Sequence, residues 1–222
     1  MAYQLDEHLR FPHPSLADED GLLAVGGDLS SERLLLAYQH GIFPWYSEES
    51  PILWYAPNQR FVLKPSELKI SKSMDQIMRA KKYKNTYNTA FKQVIENCAS
   101  IKREHQDGTW ITQQMQQAYV QLHKLGHAHS FETYDVDGQL IGGLYGVQIG
   151  KIFCGESMFS LAPNASKLAL IYLCQQFEFS LIDCQIYSNH LASLGAKEID
   201  SSIFYNELKN QSLNQNIIES TF

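Results

Sequence analysis

Five segments decide the fold: HSFETY (129–134), LIGGLYGVQI (140–149), KIFCGESMF (151–159), ASKLALIYLCQQFEF (165–179) and LIDCQIY (181–187). The first three are short, rich in aliphatic and aromatic residues, and separated by turn chemistry, which reads as strands. Asp137-Gly138 is a tight-hairpin signal between the first two, because both residues tolerate positive φ. Gly150 marks a second hairpin. Asn164 opens a helix with apolar positions at Leu168, Leu170, Ile171, Leu173, Cys174 and Phe177. LIDCQIY then returns as a buried strand. The expected class is α+β, with a mostly antiparallel sheet.

Upstream, Thr112 caps an expected helix through Leu125, which Gly126 ends. Helices are also expected over 73–81 and 88–100, with strand and loop over 60–71. In DLSSERLLLAYQHG (28–41), Asp28 or Ser30 caps a helix that Gly41 stops. Residues 1–27 read as loop. Pro44, Pro51 and Pro57 make the following stretch irregular. The expected division is a small N-terminal domain, 1–59, packed on a larger one, 60–222.

Composition narrows the function. The chain has 222 residues, 44% hydrophobic and 19% charged, in the globular range. No apolar run approaches the roughly 18 residues that a membrane helix requires. The polar start MAYQLDEHLR is not a signal peptide. Four scattered cysteines with no C-x-x-C pair fit a reducing compartment, so a cytoplasmic protein is expected. The net charge of −6 hides an asymmetry. Residues 64–103 carry ten basic and three acidic side chains, against eight and 21 in the remainder. Such a stripe can hold a phosphate backbone; the plain alternative is a solvated face.

Three antiparallel strands, a helix and a returning strand are similar to the core of the GCN5-related N-acetyltransferase superfamily. Those enzymes seat the coenzyme A pyrophosphate on a glycine-rich turn at the helix start, where bare backbone can approach phosphate. The corresponding SLAPNASKLA (160–169) has a proline and no glycine, so coenzyme A is not expected. No P-loop, G-x-G-x-x-G or G-x-S-x-G is present. His123, His127 and His129 lack a ligand-spaced carboxylate, and no metal is expected.

Two features carry chemistry. Tyr38, Phe43, Trp45, Tyr46, Trp54 and Tyr55 fall within 18 residues. Such a cluster can stack on an exposed base, worth about 1–3 kcal/mol each; packing in a small core is the alternative. Trp110 divides evenly between binding and interdomain packing. Glu156, Asp183 and Gln185 are polar in apolar strands, which is costly without partners. Asp183 and Gln185, two apart, point to one strand face. They could hold a cationic amine for attack on an acyl group, or form a structural hydrogen-bond network.

The strings GLLAVGGDLS, AYQHGIFPWY, PILWYAP, DGTWIT, LGHAHSFE, GGLYGV, FCGESMFS, NASKLAL, LIDCQ and HLASLGA run collinearly from about residue 10 to 205. Together they resemble the leucyl/phenylalanyl-tRNA–protein transferase family. The resemblance implies transfer of Leu or Phe from aminoacyl-tRNA to proteins beginning with Arg or Lys, marking them for N-end rule degradation. It implies no cofactor and no membrane, and a monomer is expected. It places Trp45, Trp110 and Tyr38 at the 3′-terminal adenosine. It places Leu144, Phe153, Leu170, Leu173, Phe177 and Ile182 around the aminoacyl side chain. It implies that Asp183, Gln185 and Glu156 form the catalytic centre. Leu144 and Leu173 stand where a related enzyme has Met and Phe, and Ser188 where relatives carry Asn. In this setting Lys81, Lys82 and Lys84 are expected on tRNA phosphates. The alternatives are a small-molecule N-acetyltransferase and a non-enzymatic RNA-binding module.

Overall fold

A computed structural model describes residues 2–101 and 110–219. In chain order the elements are β1 (Tyr3–Leu5), β2 (Leu22–Gly26), α1 (Ser31–Gln39), β3 (Phe43–Pro44), β4 (Leu53–Tyr55), β5 (Gln59–Leu63), α2 (Lys72–Arg79), β6 (Lys84–Tyr87), α3 (Phe91–Ser100), α4 (Gln113–Lys124), β7 (Ala128–Tyr134), β8 (Leu140–Ile149), β9 (Ile152–Ser160), α5 (Ala165–Gln176), β10 (Leu181–Gln185), α6 (Asn189–Ser193), β11 (Lys197–Asp200) and α7 (Ser201–Glu219). The fold is α+β with antiparallel pairing dominant. Strands β1-β2-β4-β3 make a four-stranded sheet and β11-β5-β10-β9-β8-β7-β6 a seven-stranded one.

The deciding segments fold as their patterns require. The β7–β8 turn has Gly138 at φ 75° and the β8–β9 turn has Gly150 at φ 58°. Ser30 caps α1 and Thr112 caps α4, each side-chain oxygen accepting a backbone N–H three residues on. Asn164 at the start of α5 is left-handed and makes no side-chain cap.

Two expectations are corrected. The stretches read as irregular within 1–57 hold the four-stranded sheet, whose strands of two to five residues are too short to show a period. Residues 88–90 precede the third helix rather than belong to it. Asn88 lies at φ 57°, just beyond edge strand β6, whose sequence KNTY is too polar to signal a strand. Helix α7, for which the sequence raises no expectation, is anchored by buried Phe204 and Leu208.

The larger sheet buries both faces. Leu34, Trp54, Phe91, Val94, Met115, Tyr119 and Cys154 share one core cluster, joining the small sheet, α1, α3 and α4 to it. Phe61, Phe131, Leu144, Phe153, Leu170 and Leu173 form a second cluster beneath α5. Gly142 lets α5 sit close, since a Cβ there would meet the Ala165 Cβ at 2.5 Å.

The sheet is split where the site forms. β9 and β10 pair in parallel only at Leu181–Ile152, Ile182–Phe153 and Asp183–Cys154. Beyond this, β9 continues beside β8 while β10 ends at Gln185, at φ 66°. A wedge therefore opens between neighbouring strands, and the polar groups at its edges lose their ladder partners.

Candidate active site

The wedge continues into a cavity of about 410 Å³. Gly155, Glu156, Ser157 and Met158 line it from β9, and Cys184 and Gln185 from the end of β10. Phe43, Pro44 and Trp45 close it from the small sheet and the residue that follows, and Trp110 stands before α4. The deeper walls are apolar: Leu144, Phe153, Leu170 and Ile182.

The register of β8 and β9 slips between Tyr145 and Gly146, opposite Gly155. Gly146 is required at this bulge because a Cβ would lie 2.1 Å from the Cys154 carbonyl oxygen. The irregularity falls on Glu156, the extra residue of β9 between Gly155 and Ser157, which is 7% exposed. Glu156 Oε1 accepts from Gln185 Nε2 at 2.7 Å, and Oε2 accepts from the Tyr119 hydroxyl at 3.0 Å. The Tyr38 hydroxyl bonds in turn to that of Tyr119.

Burial raises the Glu156 carboxyl to about 7, opposed by the hydrogen bonds from the tyrosines and Gln185. Glu156 can therefore hold or release a proton near neutrality. Tyr38 and Tyr119 are pushed well above their usual value by burial, then by Glu156, and remain neutral donors. Cys184 is raised by burial, then by the Asp183 charge, so its thiol stays protonated and is a poor nucleophile. Burial and Lys167 lower His190, which lines the cavity as neutral imidazole.

Trp45, Trp110, Leu144, Phe153, Leu170, Ile182, Glu156 and Gln185 converge on one cavity. Four other singled-out residues are not on its wall. Asp183 is fully buried on Arg60, which donates Nε to Oδ1 at 2.8 Å and Nη2 to Oδ2 at 2.6 Å. Asp183 and Gln185, two apart, are expected on one strand face, but the register shifts between them and breaks the alternation. Their side chains part, Asp183 to Arg60 and Gln185 to Glu156. Tyr38 lies behind Glu156, with Tyr119 between them. Leu173 is buried in the cluster behind the wall. Phe177 packs on Tyr87 and Phe131, with ring centroids 4.7 and 5.0 Å apart.

Lys81, Lys82 and Lys84 are exposed at the α2–β6 turn. Lys102 and Arg103 of the basic stripe lie outside the described residues. His129 bonds to Tyr87 and Asn88, and His123 to the Ala128 carbonyl. Among the described residues no three His, Cys, Asp or Glu side chains gather as a metal-holding group.

Sequence reasoning missed Met158, Tyr119 and Arg60. Met158 stands beside Leu144 only because the bulge at Glu156 breaks the period-2 alternation of β9, so counting along the strand from Phe153 would have missed it. Tyr119 and Arg60 gave no signal, since their partners are 37 and 123 residues away.

The leucyl/phenylalanyl-tRNA protein transferase family model matches residues 62–209, and the model of that family's N-terminal domain matches 27–58. A leucyl/phenylalanyl-tRNA–protein transferase from Flavobacterium johnsoniae is 54% identical over 212 residues, covering 94% of this chain and all of the relative. One from Syntrophus aciditrophicus is 58% identical over 197 residues, covering 87% and 82%. A solved GCN5-related N-acetyltransferase from Kribbella flavida superposes with a TM-score of 0.38 at 8% identity, over 73% of this chain and 58% of that one, too distant to argue from.

The likeness in sequence spans both sheets and every wall of the cavity, and it defines an aminoacyltransferase. The chain belongs to the leucyl/phenylalanyl-tRNA–protein transferase family.

Proposed function

We propose that the protein transfers Leu or Phe from aminoacyl-tRNA to the α-amine of proteins beginning with Arg or Lys, and so marks them for N-end rule degradation. One observation carries the reading. A single cavity joins two tryptophans, an apolar wall and one hydrogen-bonded Gln–Glu pair, the three surfaces that an aminoacyl ester and an attacking amine require.

Trp45 and Trp110 hold the 3′-terminal adenosine by stacking. Leu144, Phe153, Leu170 and Ile182 enclose the aminoacyl side chain, with Leu173 and Phe177 as a second layer and Tyr38 behind the polar centre. The ester is already activated, so proximity and orientation supply most of the rate. The amine nitrogen attacks the ester carbonyl carbon. The bond to the tRNA 3′ oxygen breaks, and that oxygen takes up the proton the amine loses. Gln185 and Glu156 line the path of that proton, and Asp183 acts through its neighbours. The Glu156 carboxylate also favours a basic N-terminal residue. Lys81, Lys82 and Lys84 hold tRNA phosphates.

We take residues 1–59 as a small N-terminal domain and 60–222 as the catalytic domain, a division supported by the change of sheet between Tyr55 and Gln59. The protein acts as a monomer in the cytoplasm, where charged tRNA is found. Among the described residues no helix is long and apolar enough to cross a membrane.

The test is transfer of radiolabelled Leu from Leu-tRNA to a protein starting with Arg, with one starting with Ala beside it. Labelling of the Arg protein alone is expected. Equal labelling would remove the acceptor preference, and tRNA binding without labelling would favour an RNA-binding module.

A further inference from the structure

Arg60 lies outside the cavity, is 1% exposed, and touches the supports of two opposite walls. Its Nε and Nη2 grip both oxygens of Asp183, while Nη1 donates to the Gly41 carbonyl at 3.0 Å. Its guanidinium carbon lies 4.9 Å from the ring centre of Phe43 and 4.6 Å from that of Phe204. On one side Gly41 leads directly to Phe43, Pro44 and Trp45, which line the cavity. On the other, Asp183 Oδ1 accepts the backbone N–H of Gln185 at 2.9 Å, at the left-handed residue whose side chain reaches Glu156. One rigid planar group thus ties the small-sheet wall of the cavity to the end of β10.

A buried ion pair is weak evidence for stability, since desolvating two charges consumes much of their attraction and an apolar pair of similar volume does as well. The fork geometry is what an apolar pair lacks. Lysine lacks it too, because one ammonium cannot meet both carboxylate oxygens and a third acceptor in fixed directions.

We propose that Arg60 is a positioning residue for aminoacyl transfer, holding the Trp45 wall and Gln185 at one separation. This rests on the proposed function, in which the donor adenosine lies at Trp45 and the attacking amine at Gln185. The donor still binds without Arg60, but the amine no longer meets the carbonyl at the reactive distance. Misplacement by about 1 Å can cost 100-fold in rate.

The first variant is Arg60→Met with Asp183→Leu, which replaces the ion pair by apolar side chains and tests Arg60 together with Asp183, the acceptor of the Gln185 N–H. Melting temperature, KM for Leu-tRNA and kcat are measured together. A melting temperature close to wild type, KM within about threefold, and kcat lowered roughly 10- to 100-fold are expected. A kcat that recovers with the melting temperature would overturn the proposal. Arg60→Lys is the second variant, keeping the charge and losing the fork. It is expected to keep KM and lower kcat by at least about fivefold; wild-type kcat in it would overturn the proposal. Activity that falls only in step with melting temperature in both variants would assign Arg60 to the fold alone. A wild-type protein that labels no acceptor would instead overturn the functional reading, and this inference with it.

Discussion

Gln185 reaches across the split in the sheet and donates its Nε2 to Glu156 Oε1 at 2.7 Å, from a backbone position at φ 66°. The left-handed geometry is uncommon for a residue with a side chain. Here it turns the last residue of β10 back toward β9 after their pairing has ended. The bond places a neutral amide donor against a carboxyl that changes charge near pH 7.

The Glu156 ionisation sets a pH dependence. Its folded value of about 7 lies above the usual 4.5, so folding binds a proton between these values. Stability is fully present below about 4.5 and falls as pH rises through 7, by up to about 3 kcal/mol. Glu156→Gln should flatten the decline in denaturant midpoint between pH 5 and 8. It should also remove the lower ionisation from the pH profile of kcat, leaving that of the acceptor amine. A wild-type midpoint unchanged across that range would refute the assignment.

Trp45→Ala and Trp110→Ala should each weaken donor binding. A lost stack of about 1–3 kcal/mol corresponds to a roughly 5- to 150-fold rise in KM for aminoacyl-tRNA, with a smaller effect on kcat. Steady-state kinetics at varied Leu-tRNA checks this; unchanged KM in both variants would leave the tryptophans as packing residues.

The aminoacyl wall is apolar, so it separates Leu from polar residues better than from Met. A difference of one methylene or similar is worth about 1–3 kcal/mol. Met-tRNA should therefore serve at roughly 0.5–20% of the Leu-tRNA kcat/KM. Leu144→Ala should shift preference toward Phe by enlarging the pocket. Competition between labelled donors measures both, and no Met transfer at all would contradict a purely apolar selection.

Lys81, Lys82 and Lys84 extend into solvent at the α2–β6 turn. If each neutralises one phosphate, the triple Ala variant should bind tRNA more weakly, and the slope of log K against log salt should become shallower by about two to three. Filter binding from 50 to 300 mM salt gives the slope. A slope equal to wild type would return the lysines to the solvated-face reading.

Gly146→Ala should lose at least about 3 kcal/mol, because the new Cβ would meet a backbone oxygen that cannot move aside without breaking the β8–β9 ladder. Gly138→Ala meets no neighbouring atom within 4 Å and is strained only by its φ of 75°. Thermal melts of the two should differ widely, with Gly138→Ala the milder.

The legible parts of the protein were local. The hairpins at Asp137-Gly138 and Gly150, the capped helices α1 and α4, and the run from β7 to β10 follow from side-chain period and turn chemistry acting over a few residues. The collinear strings pointed to the family, and the polar residues in apolar strands pointed to Glu156 and Gln185. The small sheet was not legible, since its short strands gain stability from pairing with distant segments.

What the tertiary structure alone decided is which of these residues share the cavity. It removed Asp183, Tyr38, Leu173 and Phe177 from the wall and supplied Tyr119 and Arg60 behind it. The reason is physical. A sequence determines which side chains dislike water and which backbones must turn, because these are properties of near neighbours. The separation of two strands, and the partner that satisfies a buried charge 123 residues away, are settled only when all the layers pack at once.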